Sequence, residues 1–338
     1  MINRNTLISI LNYNGASDTI ACLKSFYTFE NPNNYCIVIW DNDSRYDERS
    51  KLIECIKEID VKKYICHEDE YENLSDLKHF DLIVVLSNEN YGFAKGNNRV
   101  LEKHLNDFSY SILLNNDTEF VENTAENLIH YLEKNDNVGV VTSSIYYYSD
   151  KERLWNAGGR IFCGTRKYYL NKDVQTKLEH GINEMSVDYI TGCFLVVKNT
   201  VLREHGLLTE KFFFGEEDYE FCRRMKEKKI ILKVLLNEKI YHKVGATVQK
   251  DINVPLKIRL SFIHHLNRFV DMKSFQHRFI WKIWKCISSI YIFFLMLRMS
   301  SGDFCKIFRY IQLLNRYSNT LNSVDRDFFI SVRNGEIV

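Results

Sequence analysis

The run Tyr110-Ser111-Ile112-Leu113-Leu114-Asn115-Asn116-Asp117 decides how this chain is read: a strand-like apolar stretch that ends in a polar island. A second apolar run, Ile230-Ile-Leu-Lys-Val-Leu-Leu, leads to Tyr241-His242, and a further island, Glu216-Glu217-Asp218, opens a helix-like stretch. In a parallel α/β sheet the carboxyl ends of the strands converge on one crevice, where ligands bind. Two separated carboxylates and an imidazole delivered there can hold a divalent cation and supply a base. This combination points to chemistry on a metal-bound phosphorylated substrate.

Outward from that run, strand and helix periods alternate. Apolar runs at Leu7–Leu11, Tyr35–Trp40, Leu82–Leu86, Ser111–Leu114 and Val138–Val141 read as strands. Between them, Ile20, Leu23, Phe26 and Tyr27 fall on one helix face, as do Leu52, Ile53, Ile56 and Ile59. Val100, Leu101 and His104 mark another helix, and Leu128, Ile129 and Leu132 a fourth. Alternation of this kind means βαβ units and a mainly parallel, Rossmann-like sheet. One of only two prolines, Pro255, falls where the acidic α/β pattern gives way to a basic, aromatic tail. The expected division is a catalytic domain over 1–250 and a helical C-terminal extension over 251–338.

Overall charge, 45 Lys and Arg against 44 acids, says nothing about a polyanionic partner. Its distribution says more: between Ile252 and Arg316 there are 11 Lys/Arg and two acids, Asp271 and Asp303. No nucleic-acid reader motif accompanies this basic stretch, so nucleic acid is not an expected partner. Nine scattered cysteines without a C-x-x-C argue against a zinc ribbon or disulfide framework. They fit a reducing cytosol, with Cys22 and Cys222 as small apolar fillers. Leu7–Leu11 is too short for a signal peptide and runs straight into Asn12, so the expected location is cytoplasmic.

Missing motifs narrow what the sheet binds. The first strand leads into Asn12-Tyr13-Asn14-Gly15, with one glycine where a dinucleotide fold needs G-x-G-x-x-G, and no P-loop exists anywhere. The second strand ends in Asp41-Asn42-Asp43-Ser44, where a carboxylate can accept from a pyrimidine N–H or ribose hydroxyls; an Asx-rich turn is the alternative. Asn90-Tyr91-Gly92-Phe93-Ala94-Lys95-Gly96-Asn97-Asn98 brackets a helix start whose free N–H groups suit an anion, or merely caps the helix. Asp117 can coordinate Mg²⁺ or Mn²⁺ while diphosphate oxygens complete the shell. Imidazole at His242 mildly favours manganese. Phe221, Cys222 and Met225 are at helical spacing and read as core. Glu216 and Glu217 read as solvated first-turn acids, and Arg223 and Arg224 as partners of neighbouring acids. Trp155 with Gly158-Gly159 is either a substrate-facing loop or a turn beside a half-buried Trp.

The ordered set comprises Asn-Tyr-Asn, Asp-Asn-x-Ser, Asn-x-Gly-Phe-Ala-x-Gly-Asn-Asn, Leu-Asn-Asn-Asp and Thr191-Gly192-Cys193-Phe194, then Glu217-Asp218-Tyr219-Glu220-Phe221-Cys222-x-Arg224. Over residues 5–250 it resembles the inverting family-two glycosyltransferases, and within them the rhamnosyltransferase-like enzymes of bacterial polysaccharide assembly. The resemblance implies a GT-A fold, a nucleotide-diphosphate-sugar donor and inverting transfer to a hydroxyl of a glycan or lipid-linked acceptor. It implies that Asp218 is the general base and that Asp117 and His242 hold Mn²⁺ or Mg²⁺. Asp41 would contact base or ribose, with Asn12, Tyr13, Asn42, Asn90, Gly92, Phe93, Asn97 and Asn116 also on the donor side. Gly192 and Glu217 would lie on the acceptor side. Asn115 stands where the motif has its first Asp, so one directly coordinating carboxylate is lost. The rivals are a sugar-phosphate nucleotidyltransferase, which wants a Gly-rich basic loop that Asn12-Tyr13-Asn14-Gly15 does not offer, and a non-catalytic carbohydrate-binding protein.

In the tail, the uncharged run Cys286–Leu297 is twelve residues, against roughly 20 for a membrane span. Trp281 and Trp284 among Arg278, Lys282, Lys285 and Arg298 suit an interfacial helix over 278–299, lying on the inner face of the cell membrane. A helix packed on the catalytic domain or on a second subunit is the other reading.

Overall fold

The computed structural model describes residues 4–244, 254–299 and 303–338. The first part runs β1 (Thr6–Asn12), α1 (Ala16–Phe29), β2 (Tyr35–Asn42), α2 (Tyr46–Glu58), β3 (Lys63–His67), α3 (Glu68–Asn73), β4 (Leu82–Ser87), α4 (Gly92–Leu101) and β5 (Tyr110–Asn115). The chain continues through β6 (Thr118–Phe120), α5 (Thr124–Lys134), β7 (Val138–Tyr147), β8 (Asp150–Asn156), β9 (Gly159–Phe162), β10 (Thr165–Tyr168) and α6 (Asn171–Glu179). Then come β11 (Glu184–Val187), β12 (Phe194–Lys198), α7 (Asn199–His205), α8 (Glu217–Glu227) and β13 (Ile231–His242). Four helices close the chain: α9 (Val254–Phe275), α10 (Arg278–Met299), α11 (Phe304–Thr320) and α12 (Arg326–Asn334).

The main sheet is ordered β11-β13-β7-β12-β5-β1-β2-β4-β3. From β3 to β5 every neighbour is parallel, whereas β12 runs antiparallel between β5 and β7. β7 and β13 are again parallel to each other. All eight residues of β2 are buried, as expected where helices cover both sheet faces. The two faces alternate with the pleat: Leu7, Val38 and Trp40 join one core, and Ile8, Ile10, Ile37 and Ile39 the other. Each such fully buried side chain stabilises the fold by about 1.5–3 kcal/mol.

Every strand and helix expected from the period is present. Before β13 the additions are β3, α3, β6, the irregular stretch from β8 to β12, and α7. β8 reads Asp-Lys-Glu-Arg-Leu-Trp-Asn and is mostly exposed, so it has no buried face to leave a period in the sequence.

The expected boundary at 250/251 lies outside the described residues. Beyond it, α9 to α12 form a third core around Phe262, Leu266, Phe269, Ile307 and Leu314, which also takes in Phe212. Met272 and Trp281 belong instead to the core of the sheet domain. The two tryptophans therefore do not sit at an outer interface. Trp281 is 4 % exposed and its indole donates to Phe269 O at 3.0 Å; Trp284 donates to Cys163 O at 2.8 Å. Inward is where an indole finds both apolar contact and an acceptor. The outer side of α10 carries Phe279, Ile283, Ile287, Ile290, Tyr291 and Phe294 instead, all exposed. At 22 residues, α10 is long and apolar enough, by length and composition, to cross a membrane.

Candidate active site

The carboxyl ends of β1, β2, β4, β5 and β13 meet along one sheet edge. Asn12, Asp41-Asn42, Asn115-Asn116-Asp117 and His242 all lie there because each ends or directly follows its strand. β12 runs the other way, so its start brings Gly192 to the same edge. Asp218 is the second residue of α8, where the helix dipole favours an anion.

The amide and carboxylate motifs turn inward more than expected. Asn12, Asp41, Asn42 and Asn97 are buried. Asn12 Nδ2 donates to Asp41 Oδ1 at 2.7 Å, and Arg49 Nε to Asp41 Oδ2 at 2.7 Å. Asn42 Nδ2 donates to Asn90 Oδ1 at 3.0 Å and to Gly92 O at 3.1 Å. Ser9 Oγ donates to Asn97 Oδ1 at 2.7 Å, and Asn116 Nδ2 to Thr19 Oγ1 at 2.9 Å. These side chains tie the strand-end loops together, because buried polar groups must be satisfied. Tyr13, 41 % exposed, is the open position of the first loop. Gly92 adopts φ +76° and an added Cβ would collide with Phe213 O, so the start of α4 is held against the loop before α8.

Asp117 and His242 are neighbours through β6 and β13: His242 registers with Thr118, and Lys243 N donates to Asp117 O at 2.9 Å. His242 Nε2 lies 3.0 Å from Asp117 Oδ1, yet among the described residues Oδ1 has no hydrogen-bond partner and neither has His242 Nδ1. Two donors that close but not in hydrogen-bonding line suit a shared cation. Neighbouring corners of an octahedron with bonds of about 2.1 Å stand about 3 Å apart. The pair fits Mn²⁺ or Mg²⁺ with most of the shell left to other ligands. Among the described residues no three His, Cys, Asp or Glu side chains form a metal cluster. Trp155 packs edge-on against the His242 ring at 4.4 Å and fixes its plane.

On the other side of the edge, a Cβ on Gly192 would stand 3.2 Å from the Phe93 ring and 3.8 Å from Asp218 Cβ. Glycine here lets the Phe93 ring and Asp218 approach the chain closely. Glu216 and Glu217 are not solvated acids. Both are buried, and Glu216 takes up φ +98°, a left-handed conformation that non-glycine residues keep only where the surroundings enforce it. Burial pushes the Glu216 carboxyl up to about 7 against the opposing pull of Arg268, with which it is ion-paired. Burial and the neighbouring Asp218 push Glu217 up to about 8, and its Oε2 has no hydrogen-bond partner. Arg223 pairs with Asp271 at 3.1 Å and Arg224 with Glu220 at 3.0 Å, as expected of structural cations. Phe221, Cys222 and Met225 are core.

Glu217 carries a pH signature. Its carboxyl binds a proton more tightly in the fold than in the unfolded chain, so its contribution to stability is present at low pH and lost as pH rises towards 8. We expect Glu217→Gln to melt above wild type at pH 8 and nearly with it at pH 5, by calorimetry. A variant that melts lower at pH 8 would mean that the native carboxylate is ionised and paired.

Three contributors had no signal in the sequence: Arg49, which bridges Asp41 and Ser87 O, and Arg166 and Tyr189, both of which touch Asp218.

No curated protein matches the chain. Among solved structures it is similar to GalNAc-T7 in complex with UDP, GalNAc and Mn²⁺, at TM-score 0.56 and 13% identity. The match covers 80% of this chain and 47% of that one, so this chain spans about half the neighbour's length and the likeness is one of fold. Residues 8–205 match the profile of the family described as glycosyl transferase family 2. Together with a mainly parallel sheet and its carboxyl-edge site, this gives the architecture a GT-A reading, and the chain belongs to glycosyl transferase family 2.

Proposed function

We propose that the protein transfers a sugar, with inversion, from a nucleotide-diphosphate sugar to a hydroxyl of a glycan or lipid-linked glycan in bacterial surface-polysaccharide assembly, as a rhamnosyltransferase-like enzyme. The observation that carries the proposal is the placement of the Asp117–His242 pair and of Asp218 at one sheet edge, Asp218 beside Gly192 and Phe93. Asp218 takes the proton of the acceptor hydroxyl as its oxygen attacks the anomeric carbon, and the bond to the diphosphate breaks on the opposite face. Asp117 and His242 would hold Mn²⁺ or Mg²⁺, which neutralises charge on the departing diphosphate. The solved neighbour carries UDP and Mn²⁺, which supports this assignment. Asn12, Asp41 and Asn42 shape the nucleoside pocket mainly by fixing its loops, and Tyr13 and Asn116 complete it.

The test is a panel of nucleotide sugars incubated with the protein and Mn²⁺. Slow hydrolysis of one or a few donors is expected. Release of pyrophosphate from a sugar phosphate and a nucleoside triphosphate would identify a nucleotidyltransferase, and binding without turnover a carbohydrate-binding protein.

Membrane contact through 278–299, on the cytoplasmic face, belongs to the same proposal. The exposed Ile and Phe side chains of α10 lie among Arg278, Lys282 and Arg298, each Lys or Arg adding about 1 kcal/mol at an anionic surface. Because the inner side of α10 is fastened to the catalytic part through Trp281 and Trp284, the helix lies on the bilayer and does not span it. Binding to anionic vesicles should fall with rising salt and be lost in the double variant Ile287→Asp, Ile290→Asp, with donor hydrolysis unchanged. Vesicle binding that survives the double variant would move the contact elsewhere.

A further inference from the structure

The hairpin β9–β10 stands apart from the main sheet and pairs only within itself, apart from a bridge between Gly159 and Tyr189 at its root. A lone two-stranded hairpin is marginally stable and has to be held by its surroundings. From it, Arg166 reaches into the site. Its Nη1 lies 3.3 Å from Asp218 Oδ1 and 3.1 Å from Tyr189 Oη. The Tyr189 hydroxyl, itself on a buried side chain, donates to Asp218 Oδ2. One cationic and one neutral donor therefore fix the two oxygens of a single carboxylate, and each oxygen keeps a further lone pair for an incoming hydroxyl.

The far end of the hairpin is held just as specifically, and by the C-terminal helices. Its turn, Cys163-Gly164, has φ of +48° and +74°. Trp284 of α10 donates to Cys163 O at 2.8 Å, and Arg268 of α9 donates to Gly164 O. A Cβ on Gly164 would fall 2.8 Å from the Trp284 indole, so turn and ring are in direct contact. Arg268 also binds Glu216, two residues before Asp218.

We infer that Arg166 and Tyr189 are positioning residues that set the orientation of Asp218, and that α9 and α10 take part in the reaction by pinning the hairpin turn that delivers Arg166. The inference rests on the reading of Asp218 as the base. It gives the C-terminal helices a place in catalysis that is separate from any contact with a membrane.

The experiment uses the full chain and the nucleotide sugar from the panel that is hydrolysed fastest, with water as acceptor. Tyr189→Phe and Arg166→Gln should each lower kcat for hydrolysis roughly 10- to 100-fold, the scale of a misplaced reacting group, at unchanged KM for the donor. Arg166→Lys should recover part of the loss. Trp284→Phe, which keeps the ring contact but removes the donor to Cys163 O, should also lower kcat. In an Asp218→Asn background none of these changes should lower kcat further, because residues that act through Asp218 are not additive with it. Additive losses, or wild-type kcat in both Tyr189→Phe and Arg166→Gln, would overturn the inference while leaving the base in place. Wild-type kcat in Asp218→Asn itself would instead remove the reading on which it rests.

Discussion

Asp218→Asn leaves melting behaviour and nucleotide binding close to wild type and slows turnover roughly 10²–10⁴-fold, the contribution of one positioned base. The substitution is nearly isosteric, and Asp218 is not part of the packed core: its side chain is 17 % exposed. Asparagine still accepts from Tyr189 through its amide oxygen, so the loop stays seated, but it cannot take the acceptor proton. The neighbour Glu217 is the control. Its buried carboxyl holds a proton up to about 8 and is a poor proton acceptor at neutral pH. Near wild-type transfer by Asp218→Asn together with an inactive Glu217→Gln would place the base one residue earlier.

Removal of divalent cations abolishes transfer, and either Asp117→Ala or His242→Ala weakens both Mn²⁺ and nucleotide-diphosphate binding. Among the described residues two protein donors converge, 3.0 Å apart, so under the proposed roles cation and diphosphate complete each other's shell and their binding is coupled. The loss should amount to several kcal/mol of leaving-group stabilisation. Asn115→Asp, which restores the carboxylate of the family pattern, is a useful companion variant for comparing metal affinity by calorimetry. Undiminished turnover in excess chelator would sink the assignment and turn attention to basic side chains such as Lys243.

The strands that carry the site were legible because each is an apolar run bounded by polar residues, and a parallel sheet allows few ways to arrange them. Hence the sequence alone assigns Asp117, His242 and Asp218 to one edge. What stayed hidden is long-range. The antiparallel insertion of β12 depends on which strands flank it, and Phe194–Lys198 reads the same in either direction. Arg166 and Asp218 are 52 residues apart, and no local pattern announces that they meet. The bond between Asn12 and Asp41 is not announced by either motif: a loop at a buried strand end has first to satisfy its own polar groups. Trp281 and Trp284 look interfacial by composition; their acceptors, Phe269 O in α9 and Cys163 O in the β9–β10 turn, are set by long-range packing.

The union of Glu216 with Arg268 has a temporal side. Arg268 follows 52 residues later in the chain, and its neighbour Asn267 donates to the carbonyls of Phe214 and Gly215 at 3.0 and 2.8 Å. A ribosome adds about 5–20 residues per second and releases the amino-terminal part first. During that interval Glu216 lacks Arg268, the cation it is ion-paired with, and burial of its carboxylate without that partner is disfavoured. The segment that presents Asp218 is therefore expected to settle fully once α9 has emerged. Under the proposed roles, a nascent chain collects nucleotide and cation before it is able to use them, and sugar transfer switches on only once synthesis has passed that helix.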